Sequence, residues 1–208
     1  MTAAAILRGG VPPVPMISAV EAYVAGFALR ENAMEIPYAS NNGVLVNMAQ
    51  RITGNRPPDP WCLSECHLVG VTVFGARWPL PRTGSTNEMG QWALAHDIAS
   101  YTPALYALLL QHGVLNARAH PRERYVRPFE RGDLFLLYSP TKRRYHHAGL
   151  VTAVEPDTLL TREGNTVPPA AQRTATEEQS RDGQGNYPSS KLLSLPLCAM
   201  RWVDLLHD

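Results

Sequence analysis

The sequence predicts an α+β fold in which helices come first and an antiparallel sheet follows. In the first half, apolar residues recur at intervals of three or four between segments rich in proline and glycine, a period typical of helices. From Gly132 onward the pattern changes to short runs of aromatic and β-branched residues separated by turn residues, which indicates strands. Helices followed by strands favour a layer of helices packed on one sheet.

Start and stop residues place the helices. The first helix has apolar residues Ile17, Val20, Val24 and Phe27 on one face, and Gly54 ends the second. The segment from Ala76 to Trp92 is predicted as a long loop. The predicted helices are 16–30, a segment capped by Asn41 or Asn42 that ends at 54, one that begins at Trp61 or Cys62, and 103–112.

Strands are predicted in three consecutive runs and in the tail. Pro156 and Asp157 supply a turn between the second and third runs. The polar segment from Val167 to Ser190 is predicted as a loop, and the tail after it supplies a final strand or strand pair. The runs are GDLFLLYS, YHHAGLVTAV, TLLTREGNT and, in the tail, LLSLPLCAMRWVDLL.

Bulk composition is that of one globular domain. The 208 residues are 45% hydrophobic and 18% charged, which is sufficient for a single large core. The net charge of +1 gives no argument for binding to nucleic acid, and no run is apolar enough for membrane insertion. The first residues lack the long apolar region of a secretory signal, so we expect synthesis in the cytoplasm.

Cys62 is the first candidate for chemistry. The chain has three cysteines, Cys62, Cys66 and Cys198, which are too few for a disulfide framework. A cysteine at a helix start is favoured as a thiolate by the backbone N–H groups and by the positive end of the helix dipole. Taken alone, such a cysteine is more often a buried packing residue than a nucleophile.

His147 is the best candidate for the base that thiol chemistry requires. It lies in the second predicted strand, where His147, Gly149 and Val151 share one face and His146 points the other way. Gly149 leaves room on that face for a backbone or a substrate chain to approach. The other histidines are assigned to solvent-facing or hydrogen-bonded positions: His67, His96, His112, His120 and His207.

A third polar group is expected to orient the imidazole. Glu163 and Asn165 are two residues apart on the next predicted strand, so both side chains share a face that a hairpin brings beside His147. Gly164, between them, is expected to face away. The residues alone leave open which of the two orients the histidine.

The order of these motifs, PWC, GDL, HAGLV and EGNT, resembles the CHAP family of cysteine- and histidine-dependent amidohydrolases and peptidases. The resemblance implies a papain-like fold and one domain over residues 1–208, with a helical lead-in over 1–55 and a catalytic core over 56–208. It implies Cys62 as nucleophile, His147 as general base, Glu163 as the orienting acid and Asn165 as a further polar group. The implied activity is an amidase or endopeptidase acting on peptidoglycan, without metal or cofactor.

The sequence departs from the family pattern after the nucleophile, where LSECHLVG places Glu65 and Cys66 in the next helical turn. We expect Cys66 to pack below the site. Zinc binding by Cys62, Cys66 and neighbouring histidines is disfavoured, because CxxxCH is not a CxxC knuckle.

Other functions stay open at the level of sequence. One is an assembly module of a phage tail or injection apparatus, and another is an acyltransferase or amidase with a substrate outside the cell wall. An enzyme that acts on the wall would reach it after lysis or by delivery, with phage or secretion-machine proteins as partners.

Overall fold

A computed structural model describes the backbone of residues 16–28, 42–155, 158–164, 184–188 and 196–207. The helices in these segments are α1 Met16–Ala28, α2 Val44–Thr53, α3 Cys62–Phe74, α4 Thr86–Ala95, α5 Pro103–Gln111 and α6 Arg122–Tyr125. The strands are β1 Ala99–Tyr101, β2 Leu134–Ser139, β3 Arg144–Val154, β4 Thr158–Arg162, β5 Gln184–Pro188 and β6 Leu197–Met200. Within this described part of the chain, every helix is too short or too polar to cross a bilayer.

The strands form one antiparallel sheet in the order β1-β6-β2-β3-β4-β5. Helices α3 and α4 pack against β3, α5 packs against β1 and β6, and α1 lies behind α3. The predicted class, α+β with N-terminal helices on an antiparallel sheet, is therefore confirmed. Consecutive strands β2, β3 and β4 are neighbours, so local hairpins bring the later motifs together.

Helix α3 is the centre of the helical layer. Every residue from Cys62 to Gly70 is buried, because α1, α2 and the sheet enclose the helix from several sides. A helix enclosed in this way is typically apolar around its whole circumference, but the buried residues of α3 include the polar Ser64, Glu65 and His67. Tyr23 of α1 donates to the Cys66 carbonyl oxygen at 2.9 Å and stacks on Trp78, which fixes the back of α3.

The two faces of the sheet carry different clusters. The large core packs the helices on one face, where Leu134, Tyr145 and Leu150 are buried. On the opposite face, a smaller cluster consists of the buried residues Phe135, Val151, Leu159 and Leu197. We call these four residues the Phe135 cluster.

Two sequence predictions are wrong in their details, and one strand was not predicted. Residues 76–92 are not one long loop, because α4 begins at Thr86, and the Ser85 hydroxyl accepts from the Glu88 N–H at 3.2 Å. The string Ser-x-x-Glu at residues 85–88 is a helix start signal that the interpretation overlooked. Strand β5 lies within the segment predicted as loop, and β1 was not predicted.

The predicted apolar face of α1 also needs correction. Ala19 and Tyr23 are its fully buried residues, whereas Val20 and Val24 are only partly buried at the edge of the core. The side chains of Ile17 and Phe27 and the turn at residues 156–157 lie outside the described residues. Gly54 does end α2, with a φ of 78° that favours glycine, and α3 begins at Cys62 as predicted.

Candidate active site

Helix α3 places the Cys62 thiol at its first turn. Trp61 is the residue before the helix, and its carbonyl oxygen accepts from the Glu65 N–H at 2.9 Å, which closes that turn. The Thr53 and Ser64 hydroxyls lie 2.7 Å apart and tie α2 to α3. Cys62 is only 3% exposed, so its sulfur lies at a helix N-terminus in surroundings with little water.

A β-bulge at His146 determines the face of the sheet on which the His147 side chain lies. In the β2–β3 ladder Leu137 pairs with His147 but Tyr138 pairs with Tyr145, so His146 is an extra residue. Without the bulge, residues 145 and 147 would share a face. With it, Tyr145 enters the helical core, while the His147 ring lies 6.3 Å from the Phe135 ring on the opposite face.

Glu163 follows the last residue of β4 and is 2% exposed. Its Oε2 atom accepts from His147 Nε2 at 2.8 Å. Cys62 also acts on the His147 ring, because its hydrogen bonding and its charge both raise the pKa of the imidazole. Cys62, His147 and Glu163, from α3, β3 and the end of β4, thus form one connected chain.

Asn165 lies outside the described residues, so its predicted place in the site stays a prediction. A contact that the sequence interpretation missed is that of Thr161, whose hydroxyl donates to Glu163 Oε1 at 2.5 Å. The sequence contained a signal for this contact, because Thr161 lies two residues before Glu163 and residues two apart along a strand share a face.

Two glycines let the strands approach each other and α3. A Cβ at Gly149 would lie 2.7 Å from Glu163 Cγ, from Phe135 Cε1 and from the Arg162 carbonyl oxygen. Of the two neighbours predicted at Gly149, a backbone or a substrate chain, the structure has the backbone of Arg162, together with the Glu163 side chain and the Phe135 ring. Gly164 lies against α3, where the nearest neighbours of an added Cβ would be the Glu65 carboxylate and the Trp61 ring.

His147 is held in its charged form. Burial acts to lower the pKa of His147, but the hydrogen bonds and charge interactions with Cys62 and Glu163 outweigh it and raise the pKa to about 10. An imidazolium between a thiol and a buried carboxylate is the arrangement that supports a thiolate–imidazolium pair.

The remaining candidates near Cys62 are packing residues. The Cys66 thiol donates to the Cys62 carbonyl oxygen at 3.5 Å, and burial followed by the nearby Glu65 raises its pKa. His67 accepts from Trp78 Nε1 at 2.9 Å, and burial lowers its pKa to about 4. Among the described residues, no group of three or more histidine, cysteine, aspartate or glutamate side chains is placed to hold a metal ion.

No protein-family model and no curated protein matches the chain. Two similar solved structures are those of Ly7917 and of Ly7917 with the hydrolyzing product of MDP. They are each 13% identical over 87% of this chain, with TM-scores of 0.42 and 0.38. The matches cover 61% and 62% of the Ly7917 chains, so this chain spans less than two thirds of their length.

Replacement of Gly149 tests the packing that holds Glu163 beside His147. We expect Gly149→Ala to lower the free energy of unfolding by about 1–3 kcal/mol, because its Cβ overpacks a buried contact that includes backbone. We also expect the His147 pKa to fall, since Glu163 is displaced. Urea unfolding and NMR titration of the imidazole measure the two effects.

Gly90→Ala is the matched control for this substitution. The three atoms nearest to a Cβ at this position all belong to the Tyr145 ring, in the contact between α4 and β3. It should reduce stability and shift the His147 titration less than Gly149→Ala does, because Tyr145 acts on His147 only through the backbone, whereas Gly149 lies against Glu163 itself. Equal titration shifts in both variants would contradict the role assigned to Gly149.

The raised pKa of His147 predicts how stability depends on pH. The folded protein keeps a proton that the unfolded chain releases near pH 6.5, so the stabilisation is complete below pH 6.5 and is lost as pH rises through about 10. We expect the stability difference between the wild type and His147→Gln to shrink over this interval. Urea unfolding of both proteins across it is the measurement, and a constant difference would contradict the prediction.

Proposed function

We propose that the protein is a cysteine hydrolase that cleaves amide bonds in peptidoglycan. The observation that carries this proposal is the connected chain of Cys62, His147 and Glu163, in which the carboxylate accepts from Nε2 at 2.8 Å. A nucleophile, a base within hydrogen-bond reach and a group that orients the base are the parts that covalent acyl transfer requires. Cys62 and Glu163 are buried and the His147 side chain is 13% exposed, so charge interactions among them are stronger than in bulk solvent.

The proposed reaction forms and breaks one thioester. The Cys62 thiolate attacks the amide carbonyl carbon, and backbone N–H groups at the start of α3 stabilise the oxyanion. The His147 imidazolium gives its proton to the leaving amine as the C–N bond breaks. Neutral His147 then takes a proton from water, whose oxygen attacks the thioester and releases the carboxylic acid and the Cys62 thiolate.

Glu163 stays ionised in this scheme. Its hydrogen bond to Nε2 holds the ring so that Nδ1 faces sulfur, and its charge stabilises the imidazolium during each half of the reaction. This geometry supports Glu163 as the orienting group, with Asn165 as a further polar group of the site.

The substrate assignment rests on the resemblance of PWC, HAGLV and EGNT to the CHAP family. On that basis the bond is either the one between muramic acid and the stem peptide or one within the peptides. A single CHAP-like domain over residues 1–208 is part of the proposal, as is action on the cell wall after lysis or after delivery by phage or secretion-machine partners. No metal or cofactor takes part in the proposed steps.

Removal of the thiol is the direct test. We expect Cys62→Ala to lower hydrolysis of peptidoglycan at least about a thousandfold, because no other group replaces the nucleophile. Mass spectrometry of muropeptides after incubation measures the loss, and the new amino and carboxyl ends in the wild-type reaction identify the bond.

Cys66→Ala is the matched control, since it removes a thiol one helical turn away that is 1% exposed. It should keep most of the activity while losing some stability to the cavity. Undiminished turnover by Cys62→Ala would refute the nucleophile. A wild-type protein without products on several wall types would favour an assembly role or a different acyl substrate.

A further inference from the structure

Glu163 is a buried carboxylate with a separate partner at each oxygen. His147 Nε2 donates to Oε2 at 2.8 Å, and the Thr161 hydroxyl donates to Oε1 at 2.5 Å. Both Glu163 and Thr161 are nearly inaccessible, at 2% and 1% exposure. In such surroundings, hydrogen bonds to an ionised group are among the stronger ones in a protein.

Thr161 lies among apolar neighbours in the sheet. Thr161 pairs with Val151 across the β3–β4 ladder, and Leu159 lies two residues before it, so its neighbours belong to the Phe135 cluster. Valine has nearly the same shape as threonine and the same β-branched preference for strands. The hydroxyl is the feature that valine lacks, and it contacts the carboxylate.

Hydrogen bonds to both oxygens of a carboxylate hold its plane in one orientation. A carboxylate that is hydrogen-bonded at one oxygen keeps some freedom to rotate about the terminal bond of the side chain, which is a broad torsion in glutamate. The second hydrogen bond, from a residue held in the ladder of β4, removes that freedom. The orientation of the imidazole toward Cys62 then depends on two residues of the same strand end.

We infer that Thr161 is a positioning residue that holds the Glu163 carboxylate in the orientation by which Glu163 aligns His147 with Cys62. The inference rests on the proposed function for its catalytic consequence, while the hydrogen bonds on which it depends lie within the described residues. Thr161 itself acts through Glu163 and does not contact the reacting atoms.

The test separates the hydroxyl from the methyl group of Thr161. Thr161→Val keeps the shape and loses the donor, whereas Thr161→Ser keeps the donor and loses a methyl group. We expect Thr161→Val to lower kcat about tenfold to a hundredfold with little change in KM, the range for a lost hydrogen bond to a charged group. Thr161→Ser should restore most of kcat despite lower stability.

A second readout needs no substrate. NMR titration of the His147 imidazole should show a lower pKa in Thr161→Val and a value close to that of the wild type in Thr161→Ser. A purely structural role would lower the melting temperature of both variants and leave the titration unchanged. Thr152→Val, in the neighbouring strand β3, is the matched control and should leave both kcat and the titration as in the wild type.

The outcomes distinguish this inference from the proposed function. A shifted titration in Thr161→Val supports the positioning role even if the wild type hydrolyses no wall material, a result that would refute only the substrate. Wild-type kcat and titration in Thr161→Val overturn the role, as does a Thr161→Ser variant impaired as strongly as Thr161→Val. Should Thr161→Val not fold, the comparison of Thr161→Ser with Thr161→Ala decides in the same way.

Discussion

The arrangement of the site depends on how closely the end of β4 approaches both β3 and the start of α3. At Gly149 and Gly164 the added volume of one methyl group would overlap Glu163, Glu65 or Trp61. This contact brings a carboxylate, an imidazole and a thiol together at low solvent exposure. The low exposure strengthens each interaction and also makes any unpartnered charge costly, so the three groups stabilise one another.

Cys62 and Cys66 have different neighbours, and these neighbours determine which of the two thiols can react. Both thiols belong to α3 and lie one turn apart, yet Cys62 faces His147 while Cys66 faces the carbonyl oxygen of the preceding turn. Burial and the neighbouring Glu65 raise the pKa of Cys66, which keeps it a neutral thiol. A cysteine without a cationic neighbour is inert, so the sheet selects which thiol can react.

Much of the fold could be predicted from the periodicity of apolar residues and from the prolines and glycines between elements. The parts that could not be predicted are determined by tertiary contacts. The start of α3, the end of α2 and strands β2 to β4 had clear signals in apolar spacing, prolines and glycines. Strand β1 has three residues, all buried, so it shows no alternation to detect. For the site, the order of motifs indicated Cys62, His147 and Glu163, and the two-residue spacing of Thr161 and Glu163 was a local signal for their contact. The bulge at His146 had no such signal, because it depends on the register between β2 and β3.

The β-bulge at His146 affects both the hydrophobic core and the site. An uninterrupted strand would place Tyr145 and His147 on the same face, so either the tyrosine would leave the core or the histidine would leave Glu163. The extra residue at His146 resolves this conflict, because Tyr145 packs against Gly90 while His147 lies beside Phe135 and Glu163. One strand thereby serves the hydrophobic core and the site at once. The core contact of Tyr145 anchors the strand just before the bulge, which restrains the imidazole through the backbone as Glu163 restrains it through the side chain.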